Sequence, residues 1–452
     1  MPYDDGHGGF ERASRTAHTY TVVRALAERA EFYVPVEHLA DTQWLAGKIK
    51  KRSELVPDGA AATLSHAIAV DGSRMVVEAR AGLPSVRYGY VQAGAVYLDL
   101  GALETQRQER FVDPVVLHQA ARRALVALDL PTAGAYTRQG IDIKQSWREA
   151  VFDLFQRKRV EVNGLNQTLL ELLYLLHGTP DRPASTIPVD CVACPQKNIA
   201  VEPTGTTCPA CSAEVVPIDK LRLTEDVTDE GTNELPLTRL MQIVELLVVI
   251  GLMTLLWRSA RNSYLPKTLF IVDGPLAAQG VTAPLKTPTL AFIQSMTQPG
   301  TLGPFICGVE KSSEFVDFAE AMARYDVLEP GQLLVIDDEV IAHVTNNPNP
   351  KNYGQATYWG RKFIYRATDG RVLVVTIPPA TGTPYSKQGG RPEPQHYPTM
   401  PAILDVIDRT GSTMYLNALV PIALAHGTAA YPIGVGTDVL KLVAQQKLGM
   451  AQ

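Results

Sequence analysis

Positive charge is not in excess in this sequence, whose formal net charge is −5. Any binding to nucleic acid must therefore use local patches or metal ions rather than bulk charge. The sequence has no G-x-x-x-x-G-K-[ST] motif, which excludes a P-loop ATPase. The N-terminal stretch MPYDDGHGGFERASRTAH has no apolar run and so predicts no signal peptide.

Long apolar segments are equally scarce. The longest runs from Ile243 to Trp257, is too short to span a bilayer and contains Glu245. We therefore expect a buried core helix there, and we expect the protein to be cytoplasmic. With 452 residues, of which 46% are hydrophobic and 20% charged, the chain can form one large domain or two to three ordinary ones.

Cysteines are few, and four of the five lie in the segment CVACPQKNIAVEPTGTTCPAC. This segment has two C-x-x-C pairs, formed by Cys191, Cys194, Cys208 and Cys211. Each pair can direct two thiolates at one ion, and together they supply the tetrahedral ligand set of Zn²⁺. We predict a structural zinc ribbon inserted at 185–215, with redox-active or unligated thiols as the alternative. Cys307, in the strand pattern PFICGV, is predicted to be core.

The spacing of apolar residues predicts an α/β fold in which helices flank a mixed sheet. Residues from about 18 to 56 have amphipathic helical spacing, so we place an N-terminal helical region at 1–60 and a larger domain at 61–452. Within that domain we predict strands at 66–79, 86–101, 268–276, 303–311 and 331–344, a hairpin at 360–379, and helices at roughly 114–128, 143–158, 164–176, 235–262 and 313–326.

Two strands of buried composition end in the dipeptide Asp-Gly. IAVDGS contains Asp71, and FIVDGPL contains Asp273. If these strands are neighbours, their carboxylates lie close together and repel unless a divalent cation such as Mg²⁺ or Mn²⁺ binds between them. Such an ion can activate water and stabilise a phosphoryl transition state. The glycine permits a sharp turn or the close approach of a ligand, and two ordinary turns are the alternative.

Three further residues stand in contexts that favour a role in such a site. Glu245 lies in an apolar helix, where a charged residue is rarely buried unless it is paired or metal-bound, although it could lie on a solvated stripe. Lys311 follows a strand in GVEKSS and could neutralise a phosphate, or could be a solvated loop residue. His426 ends the apolar segment LNALVPIALAH and is either a catalytic residue or an ordinary core or surface histidine.

The order of these features resembles the NurA family of DNA nucleases. The resemblance covers the chain from about residue 60 to the C-terminus, apart from the cysteine segment. Each motif is short, and the order in which the motifs occur makes the match specific. They are AVDGS (69–73), LMQIVELL (240–247), LFIVDGPL (269–276), GVEKSSEFVDFA (308–319), YWGRKFIYRATDGRVLVVTIPP (358–379) and NALVPIALAH (417–426).

The resemblance implies an RNase H-like core whose metal-binding carboxylates fall on Asp71, Asp273 and Glu245, with Glu234 as the second candidate for the helix carboxylate. Its C-terminal histidine falls on His426. It also implies a Mn²⁺- or Mg²⁺-dependent deoxyribonuclease, with 5′→3′ exonuclease and single-strand endonuclease activity, in a homodimer with a central DNA channel. The expected partner is a HerA-type hexameric ATPase that acts in DNA end resection or in defence against foreign DNA. No membrane partner is expected.

Two other classes of function compete with this interpretation. A non-catalytic NurA-like adaptor would dock on the translocase and on DNA through the zinc ribbon, and the negative net charge favours it. A metal phosphohydrolase would act on nucleotides rather than on polymers. The presence of all three carboxylates favours the enzyme, and a cleavage assay on labelled single-stranded DNA with Mn²⁺ separates the three classes.

Overall fold

The structure is a computed structural model that describes residues 42–55, 64–81, 85–108, 122–162, 164–260, 263–298, 300–350, 353–380, 392–411, 419–430 and 435–449. The chain divides into two compact units, Met1–Ala46 and Gly47–Gln452. Of the first unit only residues 42–46 are described, and they include the start of a short 3₁₀ helix, Gln43–Lys48. Most of the helical region expected at 1–60 thus lies outside the described residues.

The second unit alternates strands and helices along most of its described length. Its strands are β1 (Ile49–Lys51), β2 (His66–Arg80), β3 (Val86–Asp99), β4 (Arg122–Ala133), β5 (Arg159–Val162), β6 (Leu165–Thr168), β7 (Ile187–Val189), β8 (Ile199–Val201), β9 (Thr206–Thr207), β10 (Glu214–Val215), β11 (Thr268–Asp273), β12 (Phe305–Glu310), β13 (Gln332–Val335), β14 (Arg361–Arg366) and β15 (Val372–Ile377). Its α-helices are α1 (Leu100–Gln108), α2 (Ile143–Arg157), α3 (Leu169–Leu176), α4 (Glu234–Ala260), α5 (Lys286–Ser295), α6 (Glu314–Arg324), α7 (Asp338–Thr345), α8 (Met400–Arg409), α9 (Val420–Ala429) and α10 (Val435–Lys447).

Nine strands form one mixed sheet in the order β1-β13-β14-β15-β12-β11-β2-β3-β4. Strand β11 runs parallel to both of its neighbours, β2 and β12. The other pairings in this sheet are antiparallel. The meander β2-β3-β4, continued in parallel by β11 and β12, is the RNase H-like arrangement, so the predicted fold class is confirmed.

Apolar cores cover both faces of the sheet, because successive side chains of a strand point to opposite faces. Ile68 and Val70 of β2 belong to a core shared with α2, α3 and α4. Ala67 and Ala69, the alternating residues of the same strand, belong to a second core shared with α8 and α9. A site on β2 next to these residues is therefore reached by helices from both faces of the sheet.

Helix α4 is long and apolar enough, by length and composition alone, to cross a membrane. Most of its apolar segment is buried, however, and it packs against β2, β3 and α3. Val244, Leu247 and Met253 are each fully buried. Within this fold α4 is a core helix, as its sequence predicted, and it brings Glu245 to the sheet.

The helix predicted at 114–128 is wrong over its described part, because residues 122–133 form the edge strand β4. Burial alternates along this strand: Ala124, Val126 and Leu128 are buried, whereas Leu125 is 50% exposed. The run of Ala, Arg and Leu favours a helix locally, and antiparallel pairing with β3 overrides that preference.

Two more boundaries differ from the prediction. Residues 49–51, expected to be helical, pair with β13 as β1. The strand predicted at 331–344 ends at Val335. Helix α7 then begins after Asp337, whose side chain accepts a hydrogen bond from the backbone N–H of Val340. An aspartate at this N-cap position favours the switch to helix.

The cysteine segment forms two short hairpins, β7-β8 and β9-β10. Its apolar side chains do not make a separate core. Ile187, Val189, Ile199, Val201 and Val215 all join the core that contains α2, α3 and α4. The insertion is therefore continuous with the domain interior.

Candidate metal centre and cleft

The two Asp-Gly pairs are adjacent in the sheet. Asp273 ends β11, as predicted. The prediction that a strand ends at Asp71 is wrong, because antiparallel pairing with β3 continues β2 through Gly72 to Arg80. In the parallel pair β2 and β11, Val70 lies opposite Val272, so the next residues, Asp71 and Asp273, lie side by side. The alternation along both strands directs these aspartates toward the face that carries α9. Their oxygens and a ring nitrogen of His426 lie within 4.8 Å of one another, which is close enough to share one cation.

His426 and Lys311 each contact one of the two aspartates. Nδ1 of His426 is 2.7 Å from Oδ2 of Asp71, and the histidine side chain is 61% exposed. Nζ of Lys311 donates a hydrogen bond to Oδ2 of Asp273 at 2.5 Å. Both predicted residues thus contact the aspartate pair, Lys311 at Asp273 and His426 at Asp71.

Glu245 approaches the same carboxylates from α4, on the other face of the sheet. It is only 7% exposed. A Cβ atom at position 72 would overlap Oε1 of Glu245 and Cγ of Met241, so the absence of a side chain at Gly72 lets the glutamate reach β2. We expected this glycine to admit a ligand, and in the structure it admits Glu245.

The second glycine has a different role. Gly274 has φ +102° and nothing within 4 Å of where its Cβ would lie. This backbone conformation is one that side-chain-bearing residues rarely adopt. Gly274 therefore allows the sharp turn after Asp273, whereas Gly72 allows the side chain of Glu245 to lie close to β2.

The three carboxyl groups repel one another. Burial, followed by the negative charges of Asp71 and Asp273, raises the pKa of Glu245 well above its usual range. Burial and the charge of Asp71 raise the pKa of Asp273 to about 6, in spite of Lys311. Such a cluster must either retain protons or bind a cation. The carboxylates of Asp71 and Asp273 with the imidazole of His426 fit the Mn²⁺ or Mg²⁺ ion that the sequence predicted. Glu245 is not within 4.8 Å of all three of these ligands, although its carboxyl lines the same cavity as the two aspartates.

Glu234, the other candidate for the helix carboxylate, lies apart from this cluster. Its Oε2 accepts a hydrogen bond from Nη1 of Arg74 at 3.0 Å, and both side chains are partly exposed. The structure thus brings Glu245, and not Glu234, to the aspartates.

Sequence reasoning missed a buried ion pair beside the site. Glu310 and Lys362 are 5% and 7% exposed, and Nζ of Lys362 donates a hydrogen bond to Oε2 of Glu310 at 3.0 Å. The same ammonium lies 4.5 Å from the ring centroid of Phe315 and 5.0 Å from that of Tyr358. Lys362 balances the charge of Glu310. The adjacent Lys311 instead contacts Asp273. A lysine directly before the apolar residues FIY (363–365) was the available signal.

A cavity of about 350 Å³ adjoins the three carboxylates. Its walls are mainly apolar and include Met241, Leu246, Val249, Leu285 and Trp359. It also contains the amide side chains of Gln242 and Gln279. We find no hydrogen-bond partner for either amide in the part of the chain that the structure describes.

Backbone hydrogen bonds fix one wall of this cavity. The N–H of Ala278 donates to the carbonyl of Thr357 at 2.9 Å, and the N–H of Trp359 donates to the carbonyl of Leu276 at 3.0 Å. The segment after Gly274 is thereby tied to the segment before β14. The cavity is preformed on this side.

The four clustered cysteines meet at a second site. The Sγ atoms of Cys191 and Cys211 are 3.7 Å apart, and those of Cys194 and Cys208 are 3.6 Å apart. A tetrahedral zinc ion with Zn–S bonds of about 2.3 Å requires S···S distances of about 3.8 Å. All four sulfurs lie within 4.8 Å of one another. The cluster fits a structural zinc ion, while Cys307 is buried in the core away from it.

No protein-family model and no curated protein sequence matches this chain. Among solved structures, the chain is similar to the NurA nuclease from Sulfolobus solfataricus, with 10% identity, a TM-score of 0.33, and coverage of 97% of this chain and 95% of that one. It is also similar to a second NurA structure, with 11% identity, a TM-score of 0.30, and coverage of 96% and 97%. The family name agrees with the resemblance of the motifs. Values this low establish neither membership of that family nor an activity for this chain.

Proposed function

We propose that the protein is a metal-dependent DNA nuclease in which Asp71, Glu245 and Asp273 hold a Mn²⁺ or Mg²⁺ ion. The observation that carries this proposal is the convergence of three carboxyl groups from β2, α4 and β11, at the point where β11 ends beside the middle of β2. Burial and mutual repulsion act there on Glu245 and Asp273. When bound, such an ion neutralises charge on a phosphoryl oxygen and activates water.

Lys311 and His426 supply the remaining polar groups of the proposed site. The ammonium of Lys311 lies at the Asp273 carboxylate, where it can also contact a phosphate oxygen. The Nδ1 atom of His426 is held by Asp71, and the exposed ring leaves Nε2 open to solvent. In this arrangement His426 can transfer a proton at Nε2 to or from a substrate oxygen.

The adjoining cavity supports a nucleic-acid substrate over a small phosphate ester. Its volume of about 350 Å³ is in the range of small-ligand sites, about 300–1,000 Å³. Apolar walls with Trp359 suit the face of a base, and the amides of Gln242 and Gln279 can donate to and accept from its edge. A base can enter only when it is unpaired, so we propose single strands and frayed ends as substrates.

The test is cleavage of single-stranded DNA labelled at either end, with Mn²⁺, Mg²⁺ or no added ion. The wild-type protein should cleave with Mn²⁺ or Mg²⁺, and Asp71→Asn should reduce the rate by at least about a thousandfold. Glu234→Gln, on the same helix as Glu245 but outside the cluster, is the matched control and should cleave normally. If the label is released early from only one of the two ends, that end shows the direction of digestion, which we propose to be 5′→3′. Rapid hydrolysis of mononucleotides without cleavage of DNA would favour the phosphohydrolase instead.

A second candidate is the non-catalytic adaptor, because the net charge of −5 disfavours unaided capture of DNA. Absence of cleavage by the wild-type protein, together with retained binding to a translocase, would support it. The convergence of Lys311 and His426 on the same aspartates is our reason for preferring the enzyme, since an adaptor has no need for them.

We further propose that the protein works as a homodimer with a HerA-type hexameric ATPase, as the order of its motifs suggests. A motor would hold duplex near the site and raise its effective concentration there. Complex size and duplex degradation should be followed with and without ATP after mixing the two proteins. Degradation as fast without the motor as with motor and ATP would refute the dependence, and a monomer at micromolar concentration would refute the dimer.

A further inference from the structure

We infer that the zinc ribbon acts as a buttress for the catalytic cleft: closing the four-cysteine cluster holds the segment Gly280–Leu285, which forms one wall of the cavity beside the carboxylates. The inference rests on the proposed function for its consequence on DNA cleavage, but its structural part does not. It gives the ribbon a positioning role for a reaction that occurs elsewhere in the molecule.

The first link joins the zinc cluster to the domain interior. Cys208 and Val215 are 1% and 0% exposed and belong to the same core as α4. The N–H of Cys208 donates a hydrogen bond to the carbonyl of Ala213 at 2.8 Å, which closes the turn that carries two of the four thiols. The course of the chain from Cys208 to Val215 therefore depends on where the thiols are held.

The second link is the short 3₁₀ helix Pro217–Leu221, which begins directly after the ribbon. Its Asp219 is buried and receives two hydrogen bonds from Arg148, at 2.7 and 2.9 Å. Arg148 also donates to the carbonyl of Glu214 in β10 at 2.8 Å. Because breaking a buried, hydrogen-bonded ion pair is costly, this clamp couples the ribbon's last strand to the helix that follows it.

The third link is the contact between Pro217–Leu221 and Gly280–Leu285, which pack against each other. Thr282 and Leu285 line the cavity beside the carboxylates, whereas Pro284 lines a separate cavity of about 530 Å³ that also contains Cys191 and Cys194. The segment is therefore the partition between the zinc side and the catalytic side.

The partition has little structure of its own. It is a 3₁₀ helix with an internal proline, a form with poor hydrogen-bond geometry that is stable only in short pieces. From the α4 side, the guanidinium of Arg239 packs so closely on Gly280 that a Cβ there would lie 2.7 Å from Nη2. The segment is thus held between α4 and the residues that follow the ribbon, and loosening either support should loosen the wall.

The test is hydrogen–deuterium exchange of the full chain with zinc bound and after zinc loss through Cys208→Ser. Loss of zinc should accelerate exchange in Ala278–Leu285 by at least about tenfold, equivalent to about 1.4 kcal/mol, while β2 stays protected. Lys197→Ala, on the same ribbon but not a ligand, should leave exchange in both regions unchanged. A ribbon that opens while 278–285 keeps its wild-type protection would refute the inference.

A second variant covers the case in which loss of zinc unfolds the whole domain. Asp219→Asn keeps the four thiols but weakens the ion pair with Arg148 that joins the ribbon to Pro217–Leu221. This variant should reproduce the faster exchange of the wall with one zinc still bound. Wild-type protection in this variant would refute the inference as well. In cleavage assays both variants should raise the KM for single-stranded DNA more than they lower kcat, because they affect how the substrate is held and leave the carboxylates in place.

The outcomes separate this inference from the proposed function. If the zinc-loaded protein never cleaves DNA, yet loss of zinc accelerates exchange in residues 278–285, the nuclease proposal is refuted and the inference about the zinc ribbon is supported. If DNA is cleaved but loss of zinc does not change exchange in residues 278–285, the inference about the zinc ribbon is refuted and the nuclease proposal is supported. Replacement of zinc by Co²⁺, which shows absorption bands of a tetrahedral thiolate site, should restore both wall protection and KM.

Discussion

The burial of Glu245 makes a quantitative prediction about the protein without Mn²⁺ or Mg²⁺. The ordinary pKa of this carboxyl is 4.5, and in the folded chain burial and the two aspartates raise it well above that value. Above pH 4.5 the Glu245 carboxyl ionises freely in the unfolded chain. In the folded chain the same carboxyl must either keep its proton or carry a buried negative charge. Glu245 therefore destabilises the metal-free fold increasingly as the pH rises from 4.5 toward its folded pKa.

The size of the effect has a ceiling that follows from linkage. Retaining one proton costs about 1.36 kcal/mol for each pH unit above the unfolded pKa, which gives at most about 3.4 kcal/mol at pH 7. Glu245→Gln removes this cost while preserving shape. The variant should thus be more stable than the wild-type protein at pH 7, by up to that amount, and equally stable near pH 4.5.

The measurement is urea unfolding at pH 4.5, 6 and 7 in buffer freed of Mn²⁺ and Mg²⁺, without a chelator that would also remove zinc. Glu234→Gln is the matched control: its exposed pair with Arg74 should contribute less than about 1 kcal/mol. Saturating Mn²⁺ should stabilise the wild-type protein more than the Gln variant, because binding to the native state adds RT ln(1 + [L]/Kd). If Glu245→Gln is less stable than the control in metal-free buffer at pH 7, our account of an uncompensated carboxyl is incorrect.

Three further predictions concern other parts of the molecule. The purified protein should carry about one zinc per chain by metal analysis, and the Cys191→Ser variant should lose it. Absence of zinc from wild-type protein that was purified without any chelator would contradict this. Asp273→Ala should abolish Mn²⁺-dependent cleavage and leave the circular dichroism spectrum unchanged, and retained cleavage would remove Asp273 from the site. Burial lowers the pKa of His177 to about 4, so this residue should cost about 3 kcal/mol of stability as the pH falls from 6.5 to 4; His177→Gln should flatten that part of the acid-unfolding curve, and an unchanged curve would contradict it.

The positions of the two aspartates could be anticipated from the sequence because they depend on local features. An apolar run followed by Asp-Gly marks a buried strand, and in β11 it also marks the end of the strand. Strand β2 continues past Gly72 because β3 pairs with it as far as Arg80. Parallel pairing of β2 with β11 then brings Asp71 and Asp273 together. The four-cysteine cluster could be predicted equally well, because C-x-x-C spacing places the two cysteines of each pair in one turn.

Other features could not be read from local spacing. Residues 122–133 have helical composition but become strand β4, because β3 offers an unpaired edge. The ion pair between Glu310 and Lys362 joins residues 52 positions apart, and only the completed sheet reveals it. The reason for glycine at position 72 was also hidden, because it depends on the orientation of a helix that begins at Glu234.

The contact between His426 and Asp71 joins residues 355 positions apart in the chain. A polypeptide that has left the ribosome only as far as Ser295 already contains both aspartates and Glu245, but it lacks Lys311 and the histidine. Any activity that depends on the whole set is therefore withheld from nascent and truncated chains. For a protein proposed to cut DNA, the order of synthesis itself acts as a safeguard, since the last helices must dock before the site is complete.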